Sequence, residues 1–318
     1  MYVIRFSQHN FIYSMSNSEV PKAAHEALAP ISGSPFAKQE RVIDWGRDDP
    51  EARLGFRNGR FTTASPTLSF LAAGLLTALF YTILTLSLQR GGDEARWFAE
   101  MFLKRGPCPY PTVLLFFWAV CLLFFKWRKI KLQKRVLNLS FLPMEPEFVL
   151  TATTARAVRE RMGQMVDNPH HFLLLNRIDL ALANLHNIGN PADVATILKI
   201  QSENDEAQMA SSYGLVHGFM WTIPVLGFIG TVLGLSEAIG SFARVIQAGG
   251  DMEQIRSSLQ NVTGGLATAF ETTLIALVCA MIIQLMISFI QAGESRFLDD
   301  CNEVCHKQIA GRLRISKS

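Results

Sequence analysis

Two long apolar stretches in the last third of the chain carry threonines that are able to line a path for protons. Thr231 lies in the first stretch, and Thr268, Thr272 and Thr273 lie in the second. A hydroxyl group both donates and accepts hydrogen bonds, so a row of threonines can solvate a proton without a fixed charge. Threonines in membrane helices also bond to their own backbone, which would account for one or two of these four. The cluster predicts an ion path between two helices.

Glycines recur beside these threonines at the spacing of one helix face. Gly227, Gly230 and Gly234 are separated by three and four residues, and Gly265 precedes the second group of threonines. In lipid, faces made of small residues let helices approach closely, because packing drives their association. Pro224 removes a backbone donor and is expected to bend its helix. Packing within a helix bundle would by itself also explain these glycines.

Two carboxylates accompany the same stretches. An intramembrane carboxylate usually marks a functional site, yet the uncharged residues after Glu271 already suffice to span a bilayer. We therefore expect Glu271 at the outer membrane surface, in a contact between helices or subunits, with Arg256 or Arg244 as its partner. It lies about 200° around the helix from Thr273, so the two should not face one pore. Glu237 is expected near the outer vestibule, where it would attract cations.

The composition indicates a membrane protein. Of 318 residues, 49% are hydrophobic and 18% are charged, whereas a soluble domain carries about 25% charge. Four stretches are long enough for a membrane helix of about 20 residues: 66–88, 109–125, 214–236 and 266–292, of which only the last contains a charged residue, Glu271. Ser65 and Pro66 match an N-cap followed by proline at the first helical position. The net charge of +3 and the lack of a basic, aromatic-rich stripe argue against a nucleic-acid partner.

Basic residues predict the orientation of the spans. Six of them directly follow the second span: Lys126, Arg128, Lys129, Lys131, Lys134 and Arg135. By the positive-inside rule this end of the span is cytoplasmic. Four spans then place both termini in the cytoplasm, with the loops at 89–110 and 243–264 outside.

The chain is expected to be an all-α integral membrane protein with four transmembrane helices and long cytoplasmic helical extensions. Its predicted parts are a cytoplasmic N-terminal arm (1–65), a first transmembrane hairpin (66–127), a cytoplasmic helical region (128–212), a channel helix pair (213–295) and a cytoplasmic C-terminal helix and tail (296–318). Residues 16–64 are rich in Ser, Pro, Gly and charge, which predicts a loosely ordered arm. An apolar stripe at helical spacing predicts packing on a neighbouring helix: Phe172, Leu173, Leu175, Ile178, Leu182 and Leu185.

The remaining reactive residues do not indicate an enzyme or a metal protein. The five cysteines do not suggest a disulfide framework. Cys301, Cys305 and His306 lie close together, but a zinc site needs a further ligand, so no metal is expected. The sequence has no phosphate loop, no nucleophile elbow and no zinc-binding His-Glu motif.

The two glycine-containing strings resemble the pore helices of the MotA/TolQ/ExbB proton channel family. They read P-x-x-G-x-x-G-T-V-x-G from Pro224 to Gly234 and G-x-A-x-A-x-x-x-T from Gly265 to Thr273, within about residues 205–300. The resemblance implies that Thr231 and Thr273 match the two polar positions that line the ion path in the ExbB/TolQ branch. It also implies a pentameric, oligomeric ring in the bacterial inner membrane, without a cofactor other than the transported ion, H⁺.

The resemblance implies a partner as well. The ring would surround a dimer of single-span subunits similar to ExbD, TolR or MotB, whose membrane aspartate takes up and releases the proton. Proton flow would then turn the ring and deliver force. The chain departs from the pattern in having four spans, as MotA does, and in Ala276 and Met281, where the family commonly has glycine and, in the ExbB/TolQ branch, proline. The branch therefore stays open, and so does a passive membrane scaffold without an ion path.

Overall fold

The computed structural model describes residues 43–56, 61–139, 152–184, 191–247, 252–309 and 311. These residues form helices and connections, and the one extended pairing among them is an isolated bridge between Ile43 and Val166. The helices are α1 (Trp45–Asp48), α2 (Pro50–Arg53), α3 (Pro66–Arg90), α4 (Asp93–Leu103), α5 (Pro109–Leu137), α6 (Ala152–Met165), α7 (Leu173–Asn184), α8 (Pro191–Ser211), α9 (Gly214–Gln247) and α10 (Met252–Val304). A 3₁₀ turn (Pro169–His171) precedes α7, and a π-helical turn (Cys305–Ile309) follows α10.

Four helical stretches are long and apolar enough to cross a membrane: Pro66–Arg90, Pro109–Leu137, Val194–Gln247 and Met252–Ile309. They contain the four stretches identified in the sequence, so the predicted all-helical fold with four candidate spans is confirmed for the described residues. The helices run further than those stretches. With 53 residues, α10 extends about 80 Å, well beyond the roughly 30 Å hydrocarbon core of a bilayer.

The spans pack around α5. One apolar cluster joins α5, α9 and α10 through residues such as Leu123, Ile223 and Ile283. A second cluster joins α3, α4, α5 and α10, with Phe102 of α4 and Ile275 of α10 among its members. Helix α4 is amphipathic and buries Ala99, Met101 and Phe102. Each helix therefore turns an apolar face to the others, as the burial of large side chains requires.

The regions 89–110 and 243–264 are not loops, contrary to the prediction. Helix α4 fills half of the first region, and in the second α9 continues to Gln247 before α10 begins at Met252. Charged residues and glycines interrupt the apolar pattern in both regions, and this hid their helical character. Residues 248–251 lie outside the described part of the chain.

A helical collar lies at the end of the bundle where α5 and α10 finish, formed by α6, the 3₁₀ turn, α7, α8 and the last turns of α5 and α10. Its apolar cluster buries the stripe predicted on α7, including Phe172, Leu173, Leu175, Ile178 and Leu182. The stripe therefore packs on neighbouring helices, as expected. Leu185 lies outside the described residues.

The described part of the N-terminal arm packs tightly against the collar, so the prediction of a loosely ordered arm is wrong there. Ile43, Trp45 and Phe61 are buried in the collar cluster. The Trp45 ring stacks on His171 with 5.5 Å between ring centroids and meets Phe172 edge-on. The burial of these three apolar side chains stabilises the segment against the collar, although most of its other residues are polar. Residues 16–42 and 57–60 lie outside the described residues.

Candidate ion path

Helices α9 and α10 approach each other through their glycines. Gly227, Gly230 and Gly234 are all buried on one face of α9. A Cβ added at Gly234 would lie 2.8 Å from the carbonyl oxygen of Gly265, and one at Gly265 would lie 2.6 Å from the Cβ of Ala238. No side chain fits in these gaps, so the two backbones pack directly, as small faces in membranes allow. We call this contact the seam.

The seam is antiparallel. Gly227 faces Ala276, whereas Gly234, further along α9, faces Gly265, which comes earlier in α10. Pro224 lies inside α9, and the helix continues through it.

Thr272 is part of the seam. Its side chain is buried, and a Cβ at Gly230 would lie 2.5 Å from its Oγ1. The hydroxyl donates within its own helix, with the carbonyl oxygens of Thr268 and Ala269 at 3.0 and 3.2 Å. Thr268, one turn away, donates to the carbonyl oxygen of Gly264 at 3.0 Å. Thr272 therefore fills the helix contact, and both hydroxyls are bonded within α10.

Thr273 and Thr231 lie on the edge of the seam. Thr273 Oγ1 is 3.2 Å from the carbonyl oxygen of Gly227 on α9 and 3.2 Å from that of Ala269 on its own helix. Thr231 is half-buried and donates to the carbonyl oxygen of Phe228 at 2.6 Å. Since Thr231 is four residues beyond Gly227, the two hydroxyls are about one turn, or 6 Å, apart along the seam.

Both hydroxyls lie on the same side of the seam. Viewed along the α9 axis, Thr231 is rotated by about 70° from the centre of the glycine face, and Thr273 is rotated by a similar angle from the residues of α10 that face those glycines. Because the two helices are antiparallel, both rotations bring the hydroxyls to the same side of the seam. Ile275, about 160° around α10 from Thr273, packs in the cluster that contains α5. Helix α5 thus covers the opposite side, and the side with the two threonines, here called the open side, is free of it.

Glu271 pairs with Arg105 in the connection between α4 and α5. Arg105 Nε donates to Glu271 Oε2 at 2.7 Å and Nη2 donates to Oε1 at 3.0 Å, a two-point contact. The expected helix contact is therefore present, but the expectation of Arg256 or Arg244 as the partner is wrong. The helical α4 places Arg105 over α10, whereas α9 and α10 carry the other two arginines elsewhere. Glu237 is exposed on α9.

A buried charged network at the collar end of the spans was missed by the sequence reasoning. Lys126 and Lys129, two of the six basic residues that follow the second span, are buried. Lys126 Nζ lies 3.1 Å from Glu294 Oε1. Glu294 also accepts hydrogen bonds from Thr62 Oγ1 and Tyr213 Oη, each at 2.6 Å. Three donors around one buried carboxylate hold it in place and compensate its desolvation.

The second half of this network ties down the N-terminal segment. Lys129 Nζ lies 2.5 Å from Glu51 Oε2 and 3.9 Å from Asp49 Oδ2. Glu51 Oε1 accepts the Ser65 backbone N–H at 2.8 Å. Ser65 stands at the N-cap of α3 and Pro66 at its first position, as expected, although the Ser65 hydroxyl makes no capping bond. Burial raises the pKa of Asp49, and the Lys129 charge opposes this effect only in part.

The collar contains a further buried pair. Arg177 Nε donates to Asp205 Oδ2 at 2.5 Å, and Arg177 Nη1 donates to Asn302 Oδ1 at 2.5 Å. Cys301 and Cys305 are buried thiols beside this pair, and burial raises the pKa of Cys305 to about 11. Among the described residues, no group of three or more His, Cys, Asp or Glu side chains is placed to hold a metal ion.

The family model described as the MotA/TolQ/ExbB proton channel family matches residues 166–302. This range begins in the collar and contains α9 and nearly all of α10, with both glycine-containing strings. Neither a search of curated proteins nor a search of solved structures found a match. Residues 166–302 of this chain are thus similar to the MotA/TolQ/ExbB proton channel family, the family that its two strings resemble.

Proposed function

We propose that this chain is the channel subunit of a proton-driven motor, acting as a ring of five copies around a dimer of single-span partner subunits. The observation that carries the proposal is the pair of hydroxyls, Thr231 and Thr273, on one side of a glycine seam inside the matched range. They remain on the side that α5 leaves uncovered. In a ring this side faces the centre, where the partner helices stand.

The chemistry of such a path follows from the cost of burying a charge. A carboxylate in the middle of a membrane costs about 2.5 kcal/mol or more on insertion scales. A partner aspartate surrounded by apolar ring helices therefore prefers its neutral form. Beside Thr231 and Thr273 it finds hydroxyls that donate hydrogen bonds to a carboxylate, so ionisation becomes favourable there. Loading on one side of the membrane and release on the other then bias the rotational positions of the ring.

The uncovered surface of the bundle supports an assembly. Large apolar side chains on α9 and α10 are exposed in the single chain; Phe228 and Phe270, for example, are 66% and 67% exposed. Neighbouring copies, partner helices and lipid would cover these faces. We further propose that the collar lies in the cytoplasm of a bacterial inner-membrane protein, with the Arg105–Glu271 pair at the outer end. The basic residues after the second span favour this orientation.

A passive scaffold is the second candidate. The observation in its favour is that each hydroxyl has a partner on its own helix, the carbonyl oxygen of Phe228 for Thr231 and that of Ala269 for Thr273. Such bonds need no ion path. The scaffold and the channel differ in whether a proton current depends on these hydroxyls.

The test is a proton-flux measurement. The chain and its single-span partner are co-purified and reconstituted in vesicles with a pH-sensitive dye, and a potassium diffusion potential drives proton entry. We expect Thr231→Ala to reduce flux about tenfold or more without a change in particle size, and Thr231→Ser to retain it. Thr222→Ala is the matched control, because Thr222 is exposed on α9 and bonds to the Gly218 carbonyl oxygen. Equal flux in wild type and Thr231→Ala would refute the proposed path.

A further inference from the structure

The open side of the seam carries a polar row on α10 toward the collar. Gln284, Gln291 and Ser295 follow Thr273 by 11, 18 and 22 residues, which places them within about 40° of it around the helix. Gln284 is exposed although it lies inside the apolar span. A side-chain amide facing lipid would lose its hydrogen bonds, at a cost of several kcal/mol (about 4 or more on cyclohexane scales). This face must therefore meet water or another polar surface.

Helix α9 and its preceding turn continue the same row. His217 precedes Thr231 by 14 residues, which returns it to within about 40° of Thr231 around α9, and the buried Tyr213 lies in the turn before the helix. Their rings are neighbours, with 6.3 Å between centroids. Polar side chains thus recur on this face of both helices between the two threonines and the collar, with Leu277 of α10 and Pro224 and Met220 of α9 between them.

The row ends at a cavity of about 390 Å³ that opens to the surface. Its polar lining comes from both helices of the seam and from α8: Glu206, Tyr213, Gln291, Glu294, Ser295 and Asp299. The Glu294 carboxylate is 3% exposed and accepts hydrogen bonds from Tyr213 and Thr62, with Lys126 at 3.1 Å. The cavity therefore joins the polar row to a buried carboxylate on one side and to solvent on the other.

We propose that Glu294 is the proton-transfer group at the collar-side outlet of the path, an inference that rests on the proposed function. A proton arriving along the row, carried by water between Thr273, His217 and Gln291, passes to the Glu294 carboxylate and forms the carboxylic acid. The acid then releases the proton to water in the cavity, so the carboxylate is restored and no electron is transferred. Glu206 and Asp299 give this cavity a negative potential that attracts the leaving proton.

Lys126 makes the protonated state of Glu294 unfavourable. When Glu294 is neutral, the buried ammonium group of Lys126 loses its partner. In the proposed step Glu294 therefore returns to the carboxylate once the proton has moved to water. The charged and titratable groups that face it are Lys126 from α5, Tyr213 before α9, and Glu206 and Asp299 across the cavity, with Lys129 behind Lys126. The other role for Glu294 is a static one, in which it ties Thr62 and the N-terminal segment to the bundle.

The same vesicle assay, on the ring with its partner, separates these roles. We expect Glu294→Gln to reduce proton flux about tenfold or more and Glu294→Asp to retain most of it. Glu51→Gln is the matched control, because Glu51 is also a buried carboxylate and ties the N-terminal segment to Lys129 and Ser65 rather than to Glu294. It should keep its flux. Equal losses in Glu294→Gln and Glu51→Gln, or normal flux in Glu294→Gln, would overturn the inference.

Lys126→Gln keeps the inference testable if Glu294→Gln does not assemble. Without the lysine, the Glu294 carboxylate binds its proton more tightly, so the pH profile of flux should move to higher pH. An unchanged profile would count against proton transfer through Glu294, since a static role does not depend on its proton affinity. If wild type shows no flux at all, the proposed function fails. If Thr231→Ala abolishes flux and Glu294→Gln does not, only this inference fails.

Discussion

The hydroxyl of Thr272 occupies the space that a side chain at Gly230 would need. A Cβ on Gly230 would lie 2.5 Å from Thr272 Oγ1 and 2.8 Å from its Cβ. Thr272 is β-branched and has few rotamers in a helix, and its hydroxyl is bonded to its own backbone. The side chain is therefore not free to move aside, and the spacing of α9 and α10 depends on a glycine at position 230.

Gly230→Ala should accordingly destabilise the helix pair. Overpacking a tight contact costs about 1–3 kcal/mol, so the thermal unfolding temperature of the solubilised protein should fall. Gly240→Ala is the control on the same helix, because a Cβ there meets nothing within 4 Å and alanine favours a helix over glycine by about 1 kcal/mol. It should leave the unfolding temperature unchanged or raise it. Equal effects of the two substitutions would contradict the tight seam.

Arg105 and Glu271 should show coupling in a charge-reversal cycle. Hydrogen bonds to charged groups contribute about 1.5–3 kcal/mol, and this pair is only 25% and 19% exposed. Arg105→Glu and Glu271→Arg should each lower the unfolding temperature, because each places two like charges together. The double variant should recover most of the loss. Additive losses in the double variant would show that the two side chains do not pair.

Lys129 should matter far more for stability than an exposed lysine or arginine nearby. Lys129→Met leaves Glu51 and Asp49 buried without their cation, and breaking a buried pair costs about 3–5 kcal/mol. Arg135→Ala is the control. Arg135 lies on α5, as Lys129 does, and its ion pair with Asp48 is at the surface. Surface pairs of this kind contribute about 0–1 kcal/mol. Chemical unfolding of both variants measures the difference. A Lys129→Met protein as stable as Arg135→Ala would rule out the buried network.

Asp49 should make the N-terminal segment less stable at neutral pH than at acid pH. Burial raises its pKa above the usual 3.8, so the folded chain binds this proton more tightly than the unfolded chain. The stabilisation is complete below pH 3.8 and is lost as pH rises through the folded-state pKa. Asp49→Asn should therefore raise the unfolding temperature at pH 7 and leave the Glu51–Lys129 pair intact. The asparagine oxygen can still accept the Glu51 N–H that Asp49 Oδ1 accepts.

The check for Asp49 is a pair of melting curves. Wild type and Asp49→Asn should differ most at neutral pH and converge toward pH 4. A variant that melts lower than wild type at pH 7 would show that the Asp49 charge is stabilising, in conflict with the raised pKa.

The spans and the seam were predictable because both depend on local patterns. A long apolar stretch with almost no charged residues identifies a membrane helix. Glycines three and four residues apart share one face of a helix, whichever helix packs against that face. The partner of Glu271 was not predictable in the same way. Arg105 lies 166 positions away in the chain, and only the packing of α4 brings it over α10.

The buried charged network shows more clearly that contacts between distant parts of the chain are not predictable from local sequence patterns. Lys126 and Lys129 look like a basic flank, and their burial depends on Glu294, Glu51 and the fold of the N-terminal segment. Thr62 and Glu294, for example, are separated by 232 positions. One local signal was available, since Lys126 and Lys129 are three residues apart and share a face of α5 with the buried Leu122 and Gln133.

A density map of the assembled ring with its partner tests the central claim most directly. We expect five copies of this chain around a central cavity that holds two partner helices. Thr231 and Thr273 of each copy should lie on the cavity wall, with Gln284 on the same wall nearer the collar. This arrangement would be contradicted by a map in which these threonines face lipid, or in which no cavity separates the copies.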